Sequence, residues 1–172
     1  MENDNWFLIG DIHGDAAPVR EFYEKNREKL SSDARENHLI LLGDFGANFA
    51  LRGQRDYKFK RTLSEYPFTY IALRGNHEAR VQTVINLFPQ QWEAVSKYGG
   101  QIYREKEFPQ IEYLSDEPAV YEFCGYKTFS IPGAYSADKW YRLRNGWPWY
   151  EDEQLSEEER NLGREIKRRE KS

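Results

Sequence analysis

The sequence contains a single cysteine, Cys124, among its 172 residues. One chain can therefore form no internal disulfide and no zinc cluster built from several thiolates. A sequence so poor in cysteine fits a reducing compartment, and the cytoplasm is the predicted location. At this length a chain can bury roughly 70% of its extended surface, so an apolar core is enough to stabilise the fold.

Long apolar runs are also missing from the sequence. No segment reaches the roughly 18 apolar residues that a membrane-spanning helix needs, and the opening MENDNWFLIGD has neither the basic start nor the apolar centre of a signal peptide. The formal net charge is only −4 and is spread along the chain, whereas duplex nucleic acid and anionic membranes attract basic patches. We therefore expect neither duplex nucleic acid nor a membrane as a partner.

What the sequence does contain is a succession of three similar units. In each unit an apolar, strand-like run is followed by a glycine-containing loop and then by a helical stretch. The strands are predicted at residues 6–9, 39–42 and 69–73, and the helices at about 15–30, 54–65 and 78–87. Three such units in succession predict a mainly parallel sheet with helices packed on it.

The pattern changes after residue 110. Short β-rich runs at 111–114, 119–123 and 127–131, with a hairpin turn at 124–126, predict a second, partly antiparallel sheet. The aromatic segment that follows is too rich in Trp, Gly and Pro to assign. Ser156 and Glu159 have the spacing of a capping box and predict a terminal helix. We expect residues 1–172 to form one α/β domain.

Each of the first three strands ends in a glycine followed by polar side chains. The carboxyl ends of neighbouring parallel strands meet at one edge of a sheet, which is where ligands bind in open α/β folds. Residues that are distant in the sequence therefore converge there. The candidate metal ligands are Asp11, His13, Asp44 and Asn76, and the candidate catalytic residue is His77.

These residue types favour metal-assisted phosphoester cleavage. Two divalent ions about 3.5–4 Å apart can clamp a phosphate and convert a bridging water to hydroxide, and a carboxylate such as Asp44 is the natural bridge between them. Asp11 and His13 lie two residues apart, so on an extended segment their side chains point the same way and can hold one ion. Asn76 offers an amide oxygen to the other ion. His77 is left to contact the phosphate or to protonate the leaving group.

The three motifs together resemble a known family. The sequences GDIHG at 10–14, GD at 43–44 and GNHE at 75–78 resemble the motifs of calcineurin-like metallophosphoesterases, and IPGAYSADKWYRLRNGW resembles a segment of their bacterial and phage members. The resemblance implies the ligand roles given above, a phosphoester substrate and a two-sheet mixed β-sandwich flanked by helices, in the layer order αββα.

The chain departs from that family in its histidines. Complete members supply three more, in a Gly/Ser-His motif and a Gly-His-x-His motif, but this chain has only His13, His38 and His77. His38 precedes the second strand and is expected to be an ordinary surface or strand-edge residue. We expect at most one well-held ion, with Mn, Fe, Zn or Ni as candidates, and a truncated gene product whose fold is incomplete at its C-terminus.

The substrate class stays open. The protein-phosphatase branch has Gly-Asp-x-Val-Asp-Arg-Gly as its second motif, where the second Asp orients the catalytic histidine and the Arg grips phosphate, but Ala47 and Asn48 occupy those places here. Arg74 and Arg142 are the predicted substrate contacts, because a planar guanidinium suits phosphate. The other arginines available for phosphate are Arg52, Arg55 and Arg144.

Alternatives to catalysis also remain. The chain could be a catalytically impaired binding module on the same scaffold, with an unknown protein partner. A nucleotide-binding α/β domain is a further alternative, although the glycine spacing fits neither G-x-G-x-x-G nor a Walker loop. The aromatic residues between 140 and 150 could stack on nucleotide bases, or they could pack over the sheet edges.

Overall fold

A computed structural model describes residues 4–49 and 53–170. The strands are β1 Asn5–Ile9, β2 Asn37–Leu42, β3 Thr69–Leu73, β4 Trp92–Lys97, β5 Gly100–Glu105, β6 Ile111–Leu114, β7 Ala119–Phe123 and β8 Tyr126–Ser130. The helices are α1 Ala17–Asn26, α2 Gln54–Leu63, α3 Val81–Leu87, α4 Lys139–Arg144 and α5 Glu157–Arg169. Among the described residues no helix is both long and apolar enough to span a membrane.

Six strands form one mixed sheet in the order β1-β2-β3-β6-β5-β4. Strands β1, β2, β3 and β6 are parallel, and β5 is antiparallel to both of its neighbours, β6 and β4. The three predicted strand-loop-helix units are confirmed, and they place β1, β2 and β3 side by side. The carboxyl ends of these three strands therefore lie at one edge of the sheet.

The antiparallel end of the sheet differs from the sequence prediction. The hairpin formed by β4 and β5 was not predicted, and β6 belongs to the large sheet and not to the second one. Strand β4 contains Glu, Ala, Ser and Lys, which have low β propensity, so its sequence carries little strand signal. Its turn is formed by Tyr98 and Gly99, both with positive φ, and a tyrosine there gives no turn signal.

The two faces of the large sheet carry separate apolar clusters. Because side chains alternate along a strand, Leu39 and Leu41 of β2 face the cluster that α1, α2 and α3 cover, and Ile40 faces the other one. Tyr121 and Phe123 of β7 belong to this second cluster. The hairpin of β7 and β8 therefore packs on the face opposite the helices.

The second sheet consists of β7 and β8 alone, joined by Cys124 and Gly125, both with positive φ. This confirms the hairpin turn. Helix α5 lies against the hairpin, where its buried Gly163 faces Pro118 and Phe129. The layers are helices, large sheet, small sheet and helix, which confirms the αββα sandwich.

His38 is not the surface or strand-edge residue that the sequence predicted. It lies in β2 between two other strands of the sheet and is buried against Trp6, with a distance of 3.9 Å between the ring centroids. Burial lowers the pKa of His38. The expectation was wrong because the residues flanking His38 do not show that Trp6 of β1 covers it.

The capping box predicted for α5 is confirmed: the Ser156 hydroxyl accepts from the Glu159 N–H, and the Glu159 carboxylate accepts from the Ser156 N–H. Glu159 also pairs with Arg80, which directly precedes α3. The hydrogen bond from the Arg80 guanidinium lowers the pKa of Glu159 to about 2. This ion pair fastens α5 to the start of α3.

Replacing this carboxylate tests the docking of α5. The pKa of Glu159 is lower in the folded protein than in the unfolded chain, so its ionised carboxylate stabilises the folded state above about pH 4.5. This stabilisation is lost as the pH falls toward 2. Glu159→Gln should therefore lower the free energy of unfolding by about 1–3 kcal/mol at pH 7, and by less at pH 3, in urea denaturation. The exposed Glu165→Gln on the same helix is the control, with a change within about 0.5 kcal/mol. Equal losses at both pH values would contradict the ion-pair explanation.

Candidate metal centre

Three loops meet at the carboxyl edge of the parallel strands. Loop 1 (residues 10–16) follows β1, loop 2 (43–53, described to 49 and at 53) follows β2, and loop 3 (74–80) follows β3. The His13 N–H donates to the Asp44 carbonyl over 2.8 Å, and the Gly14 N–H donates to the Phe45 carbonyl over 2.9 Å. These backbone hydrogen bonds hold loop 1 against loop 2.

Asp44 connects loop 2 to loop 3 as well. Its Oδ1 accepts a hydrogen bond from the His77 N–H over 3.0 Å. Gly75 lies so close that a Cβ there would be 2.0 Å from Asp44 Oδ1 and 2.2 Å from its backbone nitrogen. Only glycine allows this approach, so Gly75 is required by the geometry of Asp44.

A buried carboxylate, Glu78, provides a second tie between the same loops. Its Oε2 accepts from the Gly75 N–H over 3.0 Å, and its Oε1 accepts from the Gly46 N–H. Burial raises the pKa of Glu78 to about 7, although both hydrogen bonds act in the opposite direction. No role for Glu78 was predicted, because a glutamate next to a candidate catalytic histidine carries no sequence signal of burial.

Three side chains from these loops form one cluster. His13, Asp44 and His77 each present a ligand atom, and these atoms all lie within 4.8 Å of one another. Asp44 Oδ2 is 3.9 Å from His13 Nε2 and 3.9 Å from His77 Nδ1. Two ligand atoms that each lie about 2.1 Å from one ion are at most about 4.2 Å apart, so both pairs fit a shared ion.

The far side of the His77 ring faces another carboxylate. Asp138 Oδ2 lies 3.2 Å from His77 Nε2, and its Oδ1 lies 3.4 Å from Arg142 Nε. Asp138 comes from the aromatic segment after β8 that the sequence analysis left unassigned. Its only sequence signal was membership of the segment resembling bacterial and phage phosphoesterases, which gave no residue a role.

A cavity of about 500 Å³ opens beside the cluster. Besides the three cluster residues, its lining includes Phe49, Arg55, Arg142, Trp147 and Pro148. The Arg55 guanidinium lies 5.0 Å from the centre of the Phe49 ring, and Trp147 is half exposed. The site therefore joins an imidazole and carboxylate cluster to a pocket with cationic and aromatic walls.

Comparison with known families identifies the family of this chain. The family model for calcineurin-like phosphoesterases matches residues 7–168, which include all three loops and the segment that carries Asp138. The chain belongs to the calcineurin-like phosphoesterase family. The resemblance seen in the three loop motifs is thereby confirmed. No curated protein and no solved structure matches the chain.

Of the other two predicted ligands, Asp11 lies outside the cluster, and Asn76 contacts the segment after β8. Asp11 is exposed and does not belong to the group of close ligand atoms found among the described residues. Asn76 donates from Nδ2 to the Ser136 hydroxyl over 3.0 Å. The roles of both residues as metal ligands stay predictions.

The two predicted substrate arginines have protein partners. Arg74 is buried, with Nε 3.2 Å from Asp116 Oδ1 and Nη1 donating to the Glu153 carbonyl. Arg142 borders the cavity, but its nitrogens face Asp138, Ser136, Glu153 and the Pro148 carbonyl. Their contact with substrate stays a prediction.

The remaining arginines are placed differently. Arg55 is exposed, lines the cavity and donates to the His13 carbonyl over 3.2 Å. Arg144 is exposed, and the structure does not place it at the cavity. Arg52 lies outside the described residues. The aromatic residues Trp140, Tyr141 and Trp147 are exposed, which does not favour packing over the sheet edges, one of the two alternatives that the sequence leaves open.

Gly75 offers a direct test of the loop packing. Gly75→Ala forces a Cβ into Asp44 and must displace loop 2 or loop 3, so we expect the free energy of unfolding to fall by about 1–3 kcal/mol. Urea denaturation measures the change. Gly10→Ala is the matched control in loop 1, because nothing lies within 4 Å of its added Cβ, and it should change stability by about 0.5 kcal/mol or less. Equal stability of the two variants would show that the loops are not tightly packed at Asp44.

Proposed function

We propose that this protein hydrolyses phosphate esters with the help of a divalent metal ion. The observation that carries the proposal is the cluster of His13, Asp44 and His77 beside a cavity, in a chain of the calcineurin-like phosphoesterase family. Family membership supports metal-dependent phosphoester hydrolysis in general. The assignment of individual residues is our own.

The donor set suits one transition-metal ion. Imidazole and carboxylate together suit Zn, Fe, Mn or Ni, and the 3.9 Å spacing between Asp44 Oδ2 and His13 Nε2 supports Asp44 as the central ligand. His13 is the second ligand, and Asp11 and Asn76 remain candidates to complete the shell or to hold a second ion. When bound there, a divalent ion polarises a phosphoryl oxygen and lowers the pKa of a coordinated water.

His77 is assigned the proton-transfer role, as in the sequence prediction. Its backbone N–H is bonded to Asp44 and its ring lies at the cavity wall, which places it beside a phosphate bound in the cavity. Arg55 is the best placed arginine to hold the phosphate, because it is exposed at the cavity and beside loop 1. Arg142 also borders the cavity and is the second candidate.

Two variants separate the ligand role from the proton-transfer role. With Mn²⁺ and p-nitrophenyl phosphate, Asp44→Asn should lose at least roughly 100-fold in kcat/KM and bind Mn²⁺ at least about tenfold more weakly in calorimetry. His77→Ala should lose roughly 10² to 10⁴ in kcat while its Kd for Mn²⁺ stays within about threefold. Chelation of the metal should abolish activity in the unmodified protein.

The control is Asp15→Asn, which is the same substitution in loop 1. Asp15 is exposed, and its Oδ1 accepts from the Ala17 N–H, a bond that asparagine also makes. Its activity should match that of the unmodified protein. Hydrolysis that survives both Asp44→Asn and His77→Ala would contradict the assignment, and a large loss of Mn²⁺ affinity in His77→Ala would make His77 a ligand.

The second candidate function is a binding module on the same scaffold. One observation favours it. The cluster contains only two histidines, and the third histidine of the chain, His38, is buried in the sheet. Mn²⁺ binding without any hydrolysis of p-nitrophenyl phosphate or bis-p-nitrophenyl phosphate would support this candidate.

A further inference from the structure

The segment after β8 lies directly against loop 3. The Gly133 N–H donates to the Arg74 carbonyl over 2.8 Å, and Gly133 has a φ of 73°. A Cβ at this position would lie 2.3 Å from the Glu153 carbonyl oxygen and 2.8 Å from Arg74 Nη2. Glycine therefore allows the close contact that brings residues 136–138 beside Asn76 and His77.

Asp138 and Ser136 face adjacent residues of loop 3. Asp138 Oδ2 lies 3.2 Å from His77 Nε2, and Ser136 Oγ lies 3.0 Å from Asn76 Nδ2. Within the described residues, Asp138 is the only carboxylate within ion-pair distance of that ring nitrogen. With Nε2 held by Asp138, the other ring nitrogen of His77 is the one directed at Asp44.

The hydrogen bonds of Ser136 fix which end of the Asn76 amide faces it. A hydroxyl has one proton, and Ser136 donates that proton to Glu153 Oε2. Ser136 can then only accept from Asn76, so the amide must present its NH₂ group and leave its oxygen available for another partner. A flipped amide would place two acceptors against each other.

Arg142 holds this pair of residues in place. Its Nη2 donates to the Ser136 hydroxyl over 2.9 Å and also to Glu153, while its Nε faces Asp138 at 3.4 Å. Its side chain is 1% exposed. Ser136 and Glu153 are buried as well, so this part of the network is shielded from water, whereas the Asp138 side chain is 39% exposed.

We propose that Ser136 and Asp138 are positioning residues: Asp138 directs the His77 ring toward Asp44, and Ser136 holds the Asn76 amide so that its oxygen is available as a metal ligand. This inference rests on the proposed function, because it gives the two residues their purpose in a phosphoesterase site. Groups that bond the outer side of a ligand or a catalytic histidine fix its orientation, and their loss weakens metal affinity or activity about 10- to 100-fold.

Nuclear magnetic resonance of the metal-free protein tests the orientation without relying on hydrolysis. The chain has three histidines, so the ring N–H signals can be assigned with one variant for each. The His77 Nε2–H proton should be observable in the unmodified protein, because a bond to Asp138 slows its exchange with water. It should disappear in Asp138→Ala and persist in Asp138→Asn, whose amide oxygen still accepts.

Kinetics and calorimetry with Mn²⁺ test the effect on the site. Asp138→Ala should lower kcat for p-nitrophenyl phosphate about 10- to 100-fold with KM changed less than about threefold, and Asp138→Asn should restore part of the loss. Ser136→Ala should weaken Mn²⁺ binding about tenfold. Glu151→Ala, an exposed acidic residue of the same segment, is the control and should change neither quantity.

Two results would overturn the proposal. One is a His77 Nε2–H signal that is unchanged in a folded Asp138→Ala variant, and the other is Mn²⁺ affinity and kcat unchanged in both alanine variants. If Asp138→Ala does not fold, Asp138→Leu decides, because leucine has a similar volume but cannot accept the hydrogen bond from His77. Loss of the Nε2–H signal together with reduced kcat supports the proposal, and an unchanged signal opposes it. If the unmodified protein hydrolyses nothing, the proposed function fails, while the magnetic resonance result still decides the orientation of His77.

Discussion

The close approach of loop 3 to Asp44 is the constraint on which the site depends. Asp44 has a positive φ of 43°, which is unusual for an aspartate, and its backbone and side chain together receive hydrogen bonds from loops 1 and 3. Such strain persists only where the surroundings hold it, and Gly75 and the buried Glu78 do so here. The result is one carboxylate oxygen directed between two imidazole rings.

The sequence predicts the parallel half of the fold well because that half has strong local signals. Leu39 and Leu41 belong to an unbroken apolar run, which is typical of a strand covered on both faces. The β4–β5 hairpin was missed because β4 mixes Trp92 and Val95 with Glu, Ala and Lys, which form strands weakly. Strand β6 was recognised, but its membership of the large sheet depends on pairing with β3, and no local pattern encodes such a long-range partner.

The sequence likewise predicts some residues of the candidate site and misses others. His13, Asp44 and His77 were found because each follows a strand in a distinctive motif, and the topology then brings them together. Asp138 and Ser136 lie far along the chain from loop 3, and their nearness to it comes from the path of the chain after β8. Composition and spacing cannot reveal that nearness. A serine and an aspartate in an aromatic loop are ordinary surface residues by type, although Ser136 is buried here.

Asp44 and His77 are 33 residues apart, and they are neighbours only after β2 and β3 have paired. An unfolded chain therefore has no comparable arrangement of donors, and an ion that occupies the cluster has affinity for the native state alone. Its binding free energy adds to the free energy of unfolding by mass action. The thermal midpoint of this protein would then depend on the free concentration of that ion.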